Sequence, residues 1–485
     1  MACFKFEVAR RLGVVALAYS IMAGFAPAAC ADAATSTALA HDVLAQLVET
    51  NTTHEHGSTI AAKELSARFI AAGFAPPDVL LLTPAEYPTK GNLVVRLRGR
   101  GKGAPVLYLC HLDVVEAKRD DWNFDPFTLT EKDGWLYGRG TIDMKGQDSA
   151  VTASLIRLKQ EGFAPARDVI VAFTADEEAG GSANGVDWLF KSHRDLVDAG
   201  LVINPDGGEA GNKGGHKLYV GVQTSEKVFL TFGLEATDKG GHSSVPTTAN
   251  PIYRLSKALA RLSQFQFPVH LTETTKLYFK RRAEVEQGPL QAPMRALSAS
   301  WTDAEALDRL APDPEVNTMM RTTCTTTMID GGHAENALPQ RVRATVQCRV
   351  VPGESPASIE AALRLVLADP SIAITTITAA TPSPESPLSP AVFGAVEQIV
   401  HDMWPGVVVV PQMSPGATDS KFTRARGIPS YGIDAMFDDL EDGRAHGRDE
   451  RIGVEAFRED VEFTYRLMKR IAGETGARTT VKQGK

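Results

Sequence analysis

Two hydrophobic patterns follow one another along the chain. Through about Gly215, short continuous apolar runs at residues 91–97, 106–110, from 169 and from 201 alternate with stretches of helical period, the strongest of them at 61–72 within 41–73. Runs of that length read as strands buried on both faces, and the alternation is the βαβ pattern of a mostly parallel sheet. The pattern then changes. A strand at 227–235, a helix at 251–264, strands at 318–329 and 342–351, a helix at 355–367 and a strand near 371–379 spell β-α-β-β-α-β, the ferredoxin-like order. After Pro382 the first pattern resumes and ends in a helix from Val454 to about Ile471. The expected fold is therefore α/β: a first domain over 32–216 and 382–474, with an α+β domain over 217–381 inserted into it.

Three of the sheet-forming runs end in polar residues that can bind metal, and two further motifs carry such residues. LYLCHLDVV presents His111 and Asp113 two residues apart, on one side of a strand end. YGRGTIDMKG places Asp143 before a helical pattern, VIVAFTADEEAGG ends in Glu177 and Glu178, LVINPDGG carries Asp206, and AHGRDE carries His446. Singly these are a strand end with a solvated histidine, an N-cap with an acidic first turn, and a plain turn. Together they place carboxylates and imidazoles at the carboxyl ends of strands, where open α/β sheets bind ligands. Zinc accepts this donor set, and one carboxylate can bridge two ions about 3.5–4 Å apart. A structural zinc site would be closed and Cys-rich, which this one is not.

The order HLDVV, DGWLYGRGTIDMKG, TADEEAGG, NPDGG, GGHSSVP, NALP, CRVVPGE, GATDS and AHGRDE resembles the co-catalytic zinc exopeptidase and deacylase superfamily, which includes glutamate carboxypeptidase, aminoacylase, acetylornithine deacetylase and succinyl-diaminopimelate desuccinylase. The likeness spans nearly all of the chain beyond its first forty residues. The WNFDPFTLTEKDGWLYGRG stretch is similar to the carboxypeptidase S and N-acyl amino acid hydrolase branch. The resemblance implies a zinc-exopeptidase-like catalytic domain and makes the ferredoxin-like insert its lid and dimerisation domain. It assigns Asp143 as bridge between two zinc ions, with cobalt or manganese as substitutes, Glu178 and His446 to one ion, and His111 and Asp206 to the other. It makes Glu177 the general base and acid, gives Asp113 the task of orienting His111, and makes Asp143-Met144 a candidate cis peptide. It gives His242 the oxyanion, and Asn336 with Arg349 the substrate's free carboxylate. Gly416 and Thr418 read as a substrate-facing loop or as a plain turn. Residues 267–316 lengthen the insert, with a helical stretch near 300–310 that pads the lid or blocks a dimer surface.

The implied activity is hydrolysis of the amide bond next to a C-terminal amino acid, in a peptide or an N-acyl amino acid. A deacylase or aminopeptidase reading another end of the substrate is the alternative; a nonenzymatic exported binding protein on the same fold is the rival outside the class. A homodimer through the lid is possible in either case.

Composition narrows the partners. The 485 residues, 43% hydrophobic and 23% charged, can bury more than one core. With 51 basic and 59 acidic side chains the net charge is −8, and no basic stripe interrupts it, which argues against nucleic acid. Lys5, Arg10 and Arg11 precede an apolar run at 12–26, and Ala29-Cys30-Ala31 offers a small-residue cleavage site. The run is shorter than the roughly 20 residues of a spanning helix. Residues 1–31 therefore read as a signal peptide, by the general or the twin-arginine route or with Cys30 lipidated, and the mature chain as periplasmic or secreted with no membrane span. Residues 475–485 read as a disordered tail. Cys110 precedes His111 and faces the core, whereas Cys324 and Cys348 lie on adjacent predicted strands, where an exported chain can bridge them.

Overall fold

The computed structural model describes residues 33–181 and 183–473; the expected signal peptide and the expected tail lie outside them. Six strands form the central sheet, in the order Val79–Leu82, Asn92–Leu97, Val169–Thr174, Val106–His111, Leu201–Ile203 and Ser430–Tyr431. The last four are mutually parallel, and the first two join one edge through antiparallel pairings. Val106–His111 and Val169–Thr174 are buried along their whole length, which is why both read as unbroken apolar runs. Alternate side chains serve opposite faces. Val106, Tyr108 and Cys110 join the core that includes the helices Thr59–Ala71, Lys145–Gln160 and Val454–Gly473. Leu107 and Leu109 join a second core with Val186, Leu189 and Phe190 of the helix Gly185–Ser192.

A second sheet of four strands, Val408–Ser414, His216–Glu226, Glu209–Lys213 and Phe437–Asp439, extends the same domain. The strand His216–Glu226 pairs in parallel with Val408–Ser414, so the first domain runs to Glu226 and not to the expected 216. Only Lys227 separates it from the next strand, Val228–Thr237. With no turn residues at the crossing, sequence pattern could not mark the boundary.

The inserted domain has the expected ferredoxin-like sheet: Thr323–Gly331, Arg341–Val350, Val228–Thr237 and Ala373–Thr378 in spatial order. The helices Pro251–Ser263 and Pro356–Leu367 share its core. Each starts on a proline after a capping side chain, Asn250 accepting from the Ile252 N–H and Ser355 from the Ser358 N–H. Cys324 and Cys348 stand opposite one another in the ladder and are disulfide-bonded.

The expected helical stretch near 300–310 is the helix Ala304–Leu310, and it has neighbours within the lengthened segment. Glu273–Val285, Gln291–Ala299, Ala304–Leu310 and Pro314–Met320 form a small helical cluster whose core of Phe279, Met294, Leu297, Leu310 and Met320 also takes in Met413 of the first domain and Val351 of the lid. It wedges against the domain crossing: Lys227 Nζ donates to Arg321 O (2.6 Å) and Thr318 Oγ1 (2.8 Å), and the Thr224 and Thr274 hydroxyls are 2.8 Å apart.

Among the described residues no helix is long and apolar enough to cross a membrane. One buried acidic pair sets a pH dependence. Burial raises the Asp434 carboxyl well above its ordinary value, helped by the neighbouring Asp460, and burial pushes Asp460 up to about 6. A carboxyl raised in the fold contributes stability below its unfolded pKa and loses it as pH rises through the folded value. Asp460→Asn is therefore expected to stabilise the protein by on the order of 1–3 kcal/mol at pH 8, with the gain vanishing near pH 4, in paired thermal melts.

Candidate metal centre

Three parallel strands of the central sheet deliver their carboxyl ends to one place. His111 ends Val106–His111, Glu177 and Glu178 follow Val169–Thr174, and Asp206 follows Leu201–Ile203. Asp143 immediately precedes the helix Lys145–Gln160, across a cis Asp143–Met144 peptide. His446 comes from the loop between Phe437–Asp439 and Arg451–Gly453, at a φ of 62°.

These side chains form two sets that share Asp143: His111, Asp143 and Asp206, and Asp143, Glu178 and His446, with ligand atoms within 4.8 Å of one another in each set. His111 Nε2 lies 3.0 Å from Asp143 Oδ1 and 3.9 Å from Asp206 Oδ1. His446 Nε2 lies 3.0 Å from Asp143 Oδ2 and 2.9 Å from Glu178 Oε1. The two oxygens of Asp143 thus face different imidazoles, the geometry of a bridging carboxylate.

The donor set fits a pair of divalent cations. His111 Nδ1 sits 3.1 Å from the Asp113 carbonyl, which can only accept, so Nδ1 carries the proton and the Nε2 lone pair points at two carboxylates. Acceptors converging in this way call for a cation. Burial opposes charge on His111, yet the carboxylates of Asp143 and Asp206 hold its pKa well above the ordinary value. Hydrogen bonds to Asp143 and Glu178 lift His446 to about 10. Asp143 and Asp206 also border an acidic cavity of about 240 Å³ walled by Gln147, Glu209, Asp434 and Asp438, with no basic side chain in its lining.

Asp113 meets His111 through its carbonyl and not its carboxylate, and the side chain has a further task. Its carboxylate stands 3.9 Å from His111 Nδ1, and its two oxygens instead accept the backbone N–H groups of Glu177 (3.1 Å) and Glu178 (3.0 Å). Asp113 orients His111 through its own carbonyl and clamps the acidic turn with its side chain. That turn is fixed from the other side at Asp176, φ 62°, whose carboxylate takes Lys90 Nζ and His54 Nδ1. The Glu177 side chain makes no hydrogen bond or ion pair among the described residues. Burial raises its pKa well above the ordinary value, and the charges of Asp206 and Asp419 add to this.

Two residues that sequence reasoning left without a role organise the far side. Glu450 is buried, pairs with Arg139, and accepts the N–H groups of Gly140 (3.1 Å), Ile142 (2.8 Å) and Asp143 (3.2 Å). Arg139 Nη2 donates to the carbonyls of His446 (3.3 Å) and Gly447 (3.2 Å), so one buried ion pair positions both Asp143 and His446. Arg139 stands in YGRG and Glu450 in AHGRDE, and that shared placement beside ligands was the available signal.

The lid residues divide into two places. Arg349 pairs with Phe229 beside the domain crossing, and its guanidinium lies 4.9 Å from the Phe229 ring with no carboxylate partner among the described residues. His242 is exposed, bonds Ser244 Oγ (2.8 Å), and pairs with Ala337 next to Asn336. Asn336 precedes the Arg341 end of the strand that carries Arg349 at its other end, roughly 27 Å away at about 3.4 Å per residue. One chain therefore does not bring Asn336 and Arg349 onto a common carboxylate, contrary to expectation, because the strand between them is fully extended. Of the two readings of Gly416 and Thr418, the hydrogen bonds of Thr418 favour the plain turn. Thr418 is buried, and its N–H and hydroxyl both go to Glu226, whereas Gly416 is half-exposed and donates to Ser414 Oγ.

Known proteins share both the sequence and the fold. The chain is 29% identical over 378 residues to a probable carboxypeptidase S-like 2 of Dictyostelium discoideum, covering 75% of this chain and 71% of that protein. It is 29% identical over 376 residues to the N-fatty-acyl-amino acid synthase/hydrolase PM20D1 of Homo sapiens, covering 75% and 74%. Among solved structures, a metallo-carboxypeptidase from Sulfolobus solfataricus superposes with a TM-score of 0.65 at 18% identity, over 89% of this chain and 98% of that one. The dipeptidase Dug1p of Saccharomyces cerevisiae superposes at 0.64 and 18%, over 92% and 99%. The model of peptidase family M20/M25/M40 matches residues 107–470, and with these ligands inside that span the chain belongs to that family of metal-dependent hydrolases.

Proposed function

We propose that this hydrolase holds two zinc ions, one in each of the sets that share Asp143, and cleaves the amide bond next to a C-terminal amino acid. Cobalt or manganese would suit the same donors. The observation that carries the reading is Glu177, a carboxylate with no partner of its own, clamped by Asp113 beside a metal ligand. The metal pair, when bound, supplies Lewis acidity at the scissile carbonyl and to the attacking water. Glu177 takes the proton from that water and returns it to the leaving nitrogen. Arg349, a guanidinium beside the domain crossing with no carboxylate partner among the described residues, suits the bidentate binding of the substrate's free carboxylate.

His242 and Asn336 lie together at the far end of the lid. Their distance from Arg349 supports a homodimer in which the partner subunit's His242 and Asn336 complete the site. Hydrolysis of N-acyl amino acids is the second reading, favoured by the relatives named N-fatty-acyl-amino acid synthase/hydrolase; it uses the same residues with an acyl group in place of the peptide. The basic and apolar pattern at the amino terminus and the Cys324–Cys348 disulfide support an exported protein.

The test is amine release by the metal-loaded protein from matched dipeptides, N-acyl amino acids and the C-terminal amides of both. Free acids are expected to be cleaved and amides spared by about 10²-fold or more, since an amide leaves Arg349 without its anion. Equal rates on acids and amides would instead assign recognition to the other end of the substrate.

A further inference from the structure

The two crossings between catalytic domain and lid meet at one buried carboxylate. Glu226 ends the last catalytic strand before the lid, and Ser383 lies on the returning segment; Ser383 Oγ donates to Glu226 Oε1 at 3.0 Å. The other oxygen, Oε2, accepts the Thr418 N–H (2.9 Å) and hydroxyl (3.0 Å), and Arg424 Nη1 stands 3.4 Å from Oε1. Glu226 and Arg424 are almost completely buried. A buried ion pair is a costly way to gain stability, and it is better suited to fixing one arrangement of its neighbours.

From Thr418 the network continues to the metal centre by two routes. The Thr418 hydroxyl accepts from Asn204 Nδ2 (3.2 Å), and Asn204 begins the turn that carries Asp206. The adjacent Asp419 accepts from Asn184 Nδ2 (2.7 Å), which also lies 3.5 Å from the carbonyl of Asp176, the residue before Glu177. Asn184 and Asn204 are both buried, so water does not compete for these bonds.

We propose that Glu226 is a positioning residue that couples the lid crossings to the turns bearing Asp206 and Glu177, so that the seating of the lid sets the rate of the chemical step. The kinetic part rests on the hydrolase reading above; the structural part does not. Glu226→Gln keeps the size of the side chain and removes its charge. Thr418→Val and Ser383→Ala each delete a single hydroxyl and serve if the glutamine variant does not fold.

Two readouts separate positioning from simple stability. In Glu226→Gln and Thr418→Val, hydrogen exchange of residues 175–178 and 204–208 is expected to rise about fivefold or more, with the strand Val169–Thr174 unchanged. On the best substrate of the panel, kcat is expected to fall about tenfold with KM within about twofold and the metal content unaltered. Adding Ser383→Ala to Glu226→Gln is expected to lower kcat no further. Unchanged exchange in both turns would overturn the coupling. A lower melting temperature with kcat unchanged would make Glu226 merely structural, and a raised KM at constant kcat would return Thr418 to substrate contact. If no substrate is cleaved, the hydrolase reading fails while the exchange experiment still decides the coupling.

Discussion

Glu177→Gln is expected to lower kcat by about 10²–10⁴ while the protein keeps its full complement of metal. The glutamine is isosteric and leaves the backbone N–H of residue 177 on Asp113 and the proposed metal ligand Glu178 in place. What it loses is the capacity to take a proton from water and return it to the leaving nitrogen. Side-chain contacts cannot account for such a loss, because the Glu177 carboxylate has no hydrogen bond or ion pair among the described residues. The checking measurement is kcat and metal content on one preparation. A rate within about threefold of wild type would remove Glu177 from the proton transfer, well below what general acid–base catalysis contributes.

Asp143→Ala is expected to have the other large effect, on metal content itself. Asp143 is the only residue common to both ligand sets, and each of its oxygens faces a different imidazole. Its removal leaves each set with two protein ligands and brings His111 and His446 together without the carboxylate between them. Both ions are expected to be lost at micromolar free metal, with activity below detection. His446→Ala removes a ligand from one set only, and is expected to leave the His111 and Asp206 site partly filled. Elemental analysis of the dialysed variants distinguishes the two cases.

Much of the metal centre was legible because its chemistry coincides with strand ends. His111, Glu178 and Asp206 each terminate an apolar run, and a parallel sheet brings such ends together whatever the loops do. The ferredoxin-like insert was legible for a similar reason, its elements being long and separated by clear turns. The supporting shell was not. Arg139 and Glu450 are 311 positions apart and meet only through tertiary structure. Glu226 ends one strand a single residue before the next begins, with no turn to mark it, and the same continuity concealed the domain boundary at Lys227.

Resemblance and motif left direction unspecified in two other places. Asn336 and Arg349 are thirteen residues apart in sequence, but an extended strand turns that spacing into separation and not proximity. Thr418 stands in a motif that reads as a substrate loop or a plain turn, and its polar groups are engaged by Glu226 and Asn204. In both cases residue type was informative about chemistry and silent about direction. The helical cluster between Glu273 and Met320 was underestimated because its short helices bury their apolar sides against both domains and not within one amphipathic stripe.

The central claim is that two metal ions share Asp143 and that hydrolysis requires both. Titrating metal-free protein with zinc, while following bound metal and amine release together, tests it directly. Two ions bound per chain, with activity approaching its maximum only as the second site fills, is the predicted result. Saturation at one ion with full activity, or two ions bound with no hydrolysis of any free-acid substrate in the panel, would contradict the account.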